Sequence, residues 1–313
     1  MRRRASHPPC LDRGRGGQDR RNRRDSGRPF AAPSRPGPGR ALRCRGRSAR
    51  IPLASTLKGR PVTTDIDRHI PYDSVFNFRD IGGYRTRDGR RIRWRRLFRS
   101  GALHTMSDEE ARHAHDVLGV RGILDLRRPD EIESESDDLG PLVALVPWRK
   151  NFSVIPMPGV PGPVSQPLDE VYGRGPSGPR YAAYLERGAS QLRAALRALT
   201  REETYPALVH CSAGKDRTGV VCALVMNVLG VDDETIVADY ALSNLSTAKL
   251  LSMRDVQVGE DEDVQRLYGA PPDAMAEFLE RLHASHGDAR GYLRAQGLDD
   301  EELDRLATLL LED

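Results

Sequence analysis

The fold class that the sequence predicts is α/β: a central, mainly parallel sheet flanked by helices, with a helical C-terminal part. Three observations lead there. Strand-like and helical patterns alternate through the middle of the chain. The run Val120 to Leu126 reads as a buried strand, and Ala207 to Val209 as another short apolar one. From Asp273 to Leu311 the apolar spacing is helical, enough for two or three helices.

Taken in order, the pattern starts near Ile70. Val75 to Tyr84 is strand-like and closed by the Gly82-Gly83 turn, and Arg91 to Ser100 alternates as a half-buried strand does. Phe76, Phe78 and Tyr84 are expected in the core. Ser107 followed by Asp108, Glu109 and Glu110 is a helix start, an N-cap with acids in the first turn, leading to Leu118. The strand Val120 to Leu126 then delivers Asp125, Arg127 and Arg128 to its end. Leu142 to Val146 is read as a further short strand, and Pro147 to Pro179 as a long flexible loop, because Pro and Gly leave no regular pattern there. Tyr181 to Leu199 is read as one helix, and Val220 to Leu229 as an apolar helix with Gly230 at its stop.

Charge divides the chain. Residues 1–60 hold 18 basic and three acidic residues, a net +15, while the whole chain of 313 residues carries only +4, so the other 253 residues carry −11. The basic isoelectric point is therefore a property of the leader, and no nucleic-acid partner is expected for the body. The leader is Arg, Gly, Pro and Ser without apolar periodicity, a composition expected to be disordered. A basic arm, a targeting segment and sequence upstream of the natural start, with Val62 as the alternative start, all fit it. The body, residues 70–313, is the expected folded domain.

No apolar run approaches the roughly 20 residues that a membrane span needs, and no secretory signal is recognisable, so a cytoplasmic location is expected. Cys10, Cys44, Cys211 and Cys222 form no CxxC pair and no zinc-ligand spacing, which argues against a disulfide scaffold or structural metal.

Chemistry concentrates in ten residues, His210-Cys211-Ser212-Ala213-Gly214-Lys215-Asp216-Arg217-Thr218-Gly219, between an apolar strand and an apolar helix. Successive backbone N–H groups at such a place point into one concavity and bind an anion. The loop amides of Ser212, Ala213, Gly214 and Lys215 are the candidate cradle. Gly214 supplies backbone freedom, and Gly219 lets the helix approach the loop. A helix N-terminus beside cations favours the thiolate of Cys211, which is the nucleophilic form. The spacing returns Arg217 so that its guanidinium can fork onto two phosphate oxygens. Thr218 can donate to the thiolate, and His210 supports the loop. Cys222, inside the apolar helix, reads as a structural thiol. A Walker A loop is excluded, because Val209 stands where its first glycine belongs and Asp216 follows Lys215.

This loop resembles the HCxxxxxR signature, followed by Ser or Thr, of the cysteine-dependent phosphatases. More narrowly the chain is similar, over about residues 73 to 312, to the bacterial tyrosine phosphatase family that includes a mycobacterial protein tyrosine/phosphoinositide phosphatase. The further marks are Asn77-Phe78-Arg79-Asp80, Leu97-Phe98-Arg99-Ser100, Asp125-Leu126-Arg127, Asp239-Tyr240 with Ser243-Asn244, and Gly291-Tyr292-Leu293. The resemblance implies a cysteine-phosphatase fold and hydrolysis of phosphomonoesters through a phosphocysteine, without cofactor or metal. It implies phosphotyrosine proteins first, with dual specificity toward phosphoserine or phosphothreonine and, through Lys215, phosphoinositides. It also implies that Asp216 is the general acid. Asp125, at a strand end where α/β ligands collect, competes for that role; its alternative is a structural partner for Arg217 or Arg99. Arg79 and Asp80 are expected to form a supporting ion pair or a loop-orienting pair, not catalytic groups. A catalytically inert phosphate-binding adaptor is the alternative function, against which stand Cys211, Arg217 and an acid all present in one loop.

Overall fold

The computed structural model describes residues 68–134, 139–154, 175–253 and 267–313. The expected leader 1–60, the candidate start Val62 and the centre of the expected 147–179 loop lie outside these residues. Seven strands are present among them: β1 (Arg79–Asp80), β2 (Arg91–Ile92), β3 (Leu97–Ser100), β4 (Gly122–Asp125), β5 (Trp148–Asn151), β6 (Ala207–His210) and β7 (Leu311–Glu312). Five form one sheet in the order β1-β3-β6-β4-β5, all neighbours parallel except β1 with β3. The mixed α/β architecture expected from the alternating pattern is the one found.

Both faces of the sheet are covered, which the side-chain alternation shows directly. Leu97, Leu124 and Val209 point into one apolar cluster, whereas Phe98, Ile123 and Leu208 point into another with Val75, Phe78 and Met106. The first cluster includes the helix Asp216–Val228, in which every residue from Arg217 to Val228 is buried. A helix enclosed on all sides reads as apolar all round, as this one does. Register brings Ser100, His210 and Asp125 level at the carboxyl edge of the sheet, and the ten-residue loop leaves from this edge at the central strand.

Four local readings are corrected. Leu142 to Leu145 lies not in a strand but in the helix Pro141–Leu145, which Pro141 starts by fixing φ in the first turn and which Val146 caps in extended form. The strand comes just after it, at Trp148–Asn151, inside what read as loop; an edge strand of Trp, Arg, Lys and Asn shows no apolar run to find. Arg91 to Ser100 is two strands of different sheets, broken where Arg95 turns with φ of +59°. Arg91–Ile92 pairs instead with Leu311–Glu312 and so ties down the chain's end. Tyr181 to Leu199 is two helices, Gly178–Arg187 and Ala189–Ala198, which meet at Gly188. The C-terminal part contains three helices, Pro272–His286, Ala289–Ala295 and Asp300–Leu310.

Candidate active site

The loop from Cys211 to Lys215 joins β6 to the helix that starts at Asp216, and its outer surface lines a cavity of about 270 Å³. Cys211, Ser212, Ala213, Lys215, Asp216 and Arg217 all face this cavity. Opposite them are Glu131 and an apolar wall of Leu250, Leu267 and Tyr268. Gly214 is absent from the lining because the loop turns its carbonyl inward there. Its φ is +65°, and a Cβ would stand 2.2 Å from the Ser100 carbonyl oxygen, so only glycine fits this close approach.

Inward of the loop lies a buried polar network that holds it. The Gly214 carbonyl accepts from Asn77 Nδ2 (2.7 Å) and Arg99 Nη2 (2.9 Å). Arg99 Nη1 also donates to Asp239 Oδ2 (2.7 Å), and Arg79 Nε donates to Asp239 Oδ1 (3.1 Å). Arg79 further bonds the Asn77 side chain, and Tyr84 OH donates to Asp239 Oδ1 (3.1 Å). Arg79, Arg99 and Asp239 are fully buried. Burial alone would raise the pKa of Asp239, but the guanidinium groups of Arg79 and Arg99 together hold its carboxyl well below the usual range. The expected Arg79–Asp80 pair is therefore not formed: Arg79 serves Asp239, and Asp80 accepts from the amides of Gly82 and Arg95, both at 2.7 Å. Phe76 and Phe78 are core as expected, and Tyr84 is half-buried.

On the cavity side, Arg217 is gripped by a carboxylate that the sequence reading did not single out. Its Nη1 and Nη2 donate to Glu131 Oε2 (2.5 Å) and Oε1 (2.6 Å), and Nη1 also reaches the Leu126 carbonyl (3.1 Å). Ser212 Oγ donates to Glu131 Oε1 at 2.8 Å. Burial would raise the Glu131 pKa, but the Arg217 fork brings it down to about 2. Glu131 stands in the helix Pro129–Ser134, among several acids that each look like surface charge in sequence; Pro129 opening a short helix after the strand end was the available signal. Glu131 takes the Nη1/Nη2 edge of the guanidinium.

The two competing carboxylates are placed very differently. Asp216 lines the cavity with its side chain about 30% exposed; its Oδ1 accepts from Tyr181 OH (2.5 Å), and its Oδ2 lies 3.8 Å from Lys215 Nζ. Asp125 does not line the cavity: it is fully buried and bonded to Arg127 through Nε (3.0 Å) and Nη2 (2.8 Å), with Arg149 at 3.4 Å. Neither Arg217 nor Arg99 is its partner. Burial would raise its pKa, while His210 and Arg127 hold it well below the usual range. Burial drives His210 itself down to about 4, so near neutral pH that ring is uncharged and Arg127 is the effective partner. Asp125 is thus held by Arg127 at the strand end, outside the lining of the cavity that Asp216 faces.

The remaining candidates fall as follows. His210 is fully buried, with Nδ1 at 3.4 Å from the Cys211 carbonyl. Thr218 is fully buried, and its Oγ1 has no hydrogen-bond partner among the described residues. Lys215 Nζ donates to the Leu267 carbonyl at 3.1 Å. Cys222 is a buried free thiol whose pKa burial raises to about 11. Gly219 packs against the ring of Tyr240, not against the loop: a Cβ there would stand 3.1 Å from Tyr240 Cδ2. No group of His, Cys, Asp and Glu suited to a metal ion occurs among the described residues. Among them, too, no helix is long and apolar enough to cross a membrane.

A loop with a cysteine at its base, carried on the carboxyl edge of a mainly parallel sheet, defines a cysteine-phosphatase fold. The tyrosine phosphatase family profile matches residues 70–312, and the chain belongs to that family. It is 30% identical over 287 residues to the triple specificity protein phosphatase PtpB of Mycobacterium tuberculosis, covering 78% of this chain and 99% of that one. It is also 27% identical over 227 residues to a tyrosine-protein phosphatase of Nostoc commune, covering 68% of this chain and 73% of that one. A Cupriavidus necator homologue of the same class is 32% identical over 248 residues, 76% of this chain and 80% of its own. The chain is accordingly an enzyme of the phosphatase class.

Proposed function

We propose that the chain hydrolyses phosphotyrosine in proteins, and phosphoserine, phosphothreonine or phosphoinositides as further substrates, through a phosphocysteine formed on Cys211. One observation carries this: Cys211, Arg217 and Asp216 face a single cavity at the N-terminus of a buried helix. The loop amides and the free edge of Arg217 bind the phosphoryl oxygens, and the apolar wall of Leu250, Leu267 and Tyr268 suits the body of an aryl ester.

In the first step the Cys211 thiolate attacks phosphorus, the bond to the leaving oxygen breaks, and Asp216 gives that oxygen a proton. In the second, water attacks phosphorus, Asp216 takes its proton, and the sulfur–phosphorus bond breaks. The buried Thr218 hydroxyl, without another partner among the described residues, is the donor that eases departure of the thiolate. Ser212 and Glu131 hold Arg217 in place, so that the clamp is formed before substrate arrives.

The test is acid quench during turnover, followed by mass spectrometry of the peptide containing Cys211. A phosphorylated Cys211 is expected in the native enzyme, together with loss of turnover and retained binding of phosphotyrosine peptide in Cys211→Ser. Turnover by Cys211→Ser would sink the mechanism. A panel of phosphopeptides and inositol lipids on the same preparation ranks the substrate classes.

A further inference from the structure

Tyr181 occupies the buried face of the helix Gly178–Arg187 and is fully enclosed. Its ring is wedged edge-on between Tyr240 (centroids 5.9 Å apart, 77°) and Phe278 (6.4 Å, 80°). Its hydroxyl touches two oxygens, Asp216 Oδ1 at 2.5 Å and Tyr240 OH at 2.7 Å. A phenol has one proton to give, and a carboxylate can only accept. Tyr181 therefore donates to Asp216, and Tyr240 donates to Tyr181. The close approach of Gly219 to the Tyr240 ring fixes the far end of this chain against the helix that carries Asp216 itself.

A buried phenol needs a partner in any fold, but this partner is the cavity carboxylate. With Oδ1 committed to the phenol, a proton on Asp216 resides on Oδ2, the oxygen on the Lys215 side. We propose that Tyr181, backed by Tyr240, is the positioning residue for the general acid: it pins Asp216 so that Oδ2 carries the proton toward the leaving oxygen. This rests on the reading of Asp216 as the acid. Through both half-reactions the Tyr181 proton stays where it is, while the Oδ2 proton passes to the leaving oxygen as the ester bond breaks and is replaced from water as the sulfur–phosphorus bond breaks.

Several groups face Asp216. Tyr181 and Tyr184 do so from the helix Gly178–Arg187, Tyr240 from the helix Asp233–Ala241, Lys215 and Cys211 from the loop, and Arg217 from the helix Asp216–Val228, with Glu131 bonded to Arg217 and Tyr268 lining the same cavity. Of these, Tyr181 alone bonds the carboxyl among the hydrogen bonds of the described residues.

The experiment is steady-state kinetics of Tyr181→Phe on phenyl phosphate and 2,4-dinitrophenyl phosphate, with Asp216→Asn alongside. For Tyr181→Phe, kcat on phenyl phosphate should fall by about 10- to 100-fold, since a misaligned acid forfeits much of the gain from proton transfer. The dinitrophenyl ester, whose leaving oxygen needs no proton, should change little, and KM and inhibition by inorganic phosphate should hold. Tyr240→Phe should give the same pattern, weaker.

Equal slowing of both esters, or a rise in KM matching the fall in kcat, would overturn the proposal. If Tyr181→Phe fails to fold, as thermal melting shows, Tyr240→Phe decides by the same comparison of esters. Asp216→Asn separates the two levels of the reading. Should it show no leaving-group selectivity, Asp216 is not the acid and both fall; should it be selective while Tyr181→Phe is not, the positioning role alone falls.

Discussion

The two sides of the loop Cys211 to Lys215 are built on opposite terms. Outward, Cys211, Asp216 and Arg217 face a cavity, and Asp216 keeps a side chain about 30% exposed. Inward, Asn77, Arg79, Arg99 and Asp239 are sealed from water and bonded to one another and to the Gly214 carbonyl. The chemistry lies on one side of five residues of backbone and its geometry on the other. A preorganised anion site needs both, because amides aim at a phosphate only if the backbone that carries them cannot relax.

The largest break in this comparison comes from the inner side. Asp239 is the sole carboxylate among the hydrogen-bonding partners of Arg79 and Arg99 in the described residues, so Asp239→Asn leaves two buried guanidinium groups short of a countercharge. Breaking a buried pair in this way costs about 3–5 kcal/mol, and the melting temperature should fall accordingly, with turnover lost at temperatures where the protein remains folded only in part. The sign of the pH dependence follows from the depressed folded-state pKa of Asp239. The stabilisation is present above the unfolded-state value near 4 and is lost as pH falls toward the lower folded-state value. Melting followed from pH 7 to pH 3 should show this loss in the native protein, and a flatter curve in Asp239→Asn. Parallel curves would assign the acid sensitivity to other carboxylates.

The two sides also differed in how far the sequence revealed them. The outer side is ten contiguous residues whose types and spacing carry the chemistry, so Cys211, Lys215, Asp216 and Arg217 could be read directly. The inner side is assembled from residues more than one hundred positions apart, Asn77 and Arg99 with Gly214, and Arg79 with Asp239. A lone Arg or Asp in sequence looks like solvated charge, and nothing local tells which cation a buried carboxylate will meet. Glu131 was hidden for the same reason, one acid among several, and Tyr181 because a tyrosine on the apolar face of a helix looks like core packing alone. In the fold, the buried strands β4 and β6 announced themselves through apolar runs. The edge strand β5 did not, since its Trp148, Arg149, Lys150 and Asn151 need no apolar character at the rim of the sheet. The short run Leu142 to Val146 misled because a few apolar residues suit a strand and a helix turn equally.

Glu131 is where the outer side borrows the method of the inner one, since it is a carboxylate that fixes a guanidinium by a two-point fork. Glu131→Gln keeps the size and one acceptor but loses the charge. We expect kcat/KM to fall by about 10- to 100-fold through loss of clamp alignment, equally for phenyl phosphate and its dinitrophenyl analogue, because the clamp acts on the phosphoryl group and not on the leaving oxygen. Melting should change far less than in Asp239→Asn, as Glu131 is open to the cavity. A selective loss on phenyl phosphate would instead place Glu131 in proton transfer.

The smallest effect, and the one that bears on substrate class, belongs to Lys215. Its ammonium is largely buried at the cavity wall, donates to the Leu267 carbonyl at 3.1 Å and stands 3.8 Å from Asp216 Oδ2. It is a charge held by the fold at the cavity wall. Two uses of that charge predict different results. If it only offsets the phosphoryl group being transferred, Lys215→Met should slow every ester alike. If it receives a second phosphate of the substrate, the loss should fall on polyphosphorylated inositol lipids, at about tenfold in kcat/KM for one lost partly screened charge contact, while a phosphotyrosine peptide stays within a factor of about three. The ratio between the two substrates is the quantity to measure, since it cancels any change in folding or enzyme concentration. The position favours the second use: the Leu267 carbonyl holds Lys215 beside the apolar wall, where the rest of a larger substrate would extend.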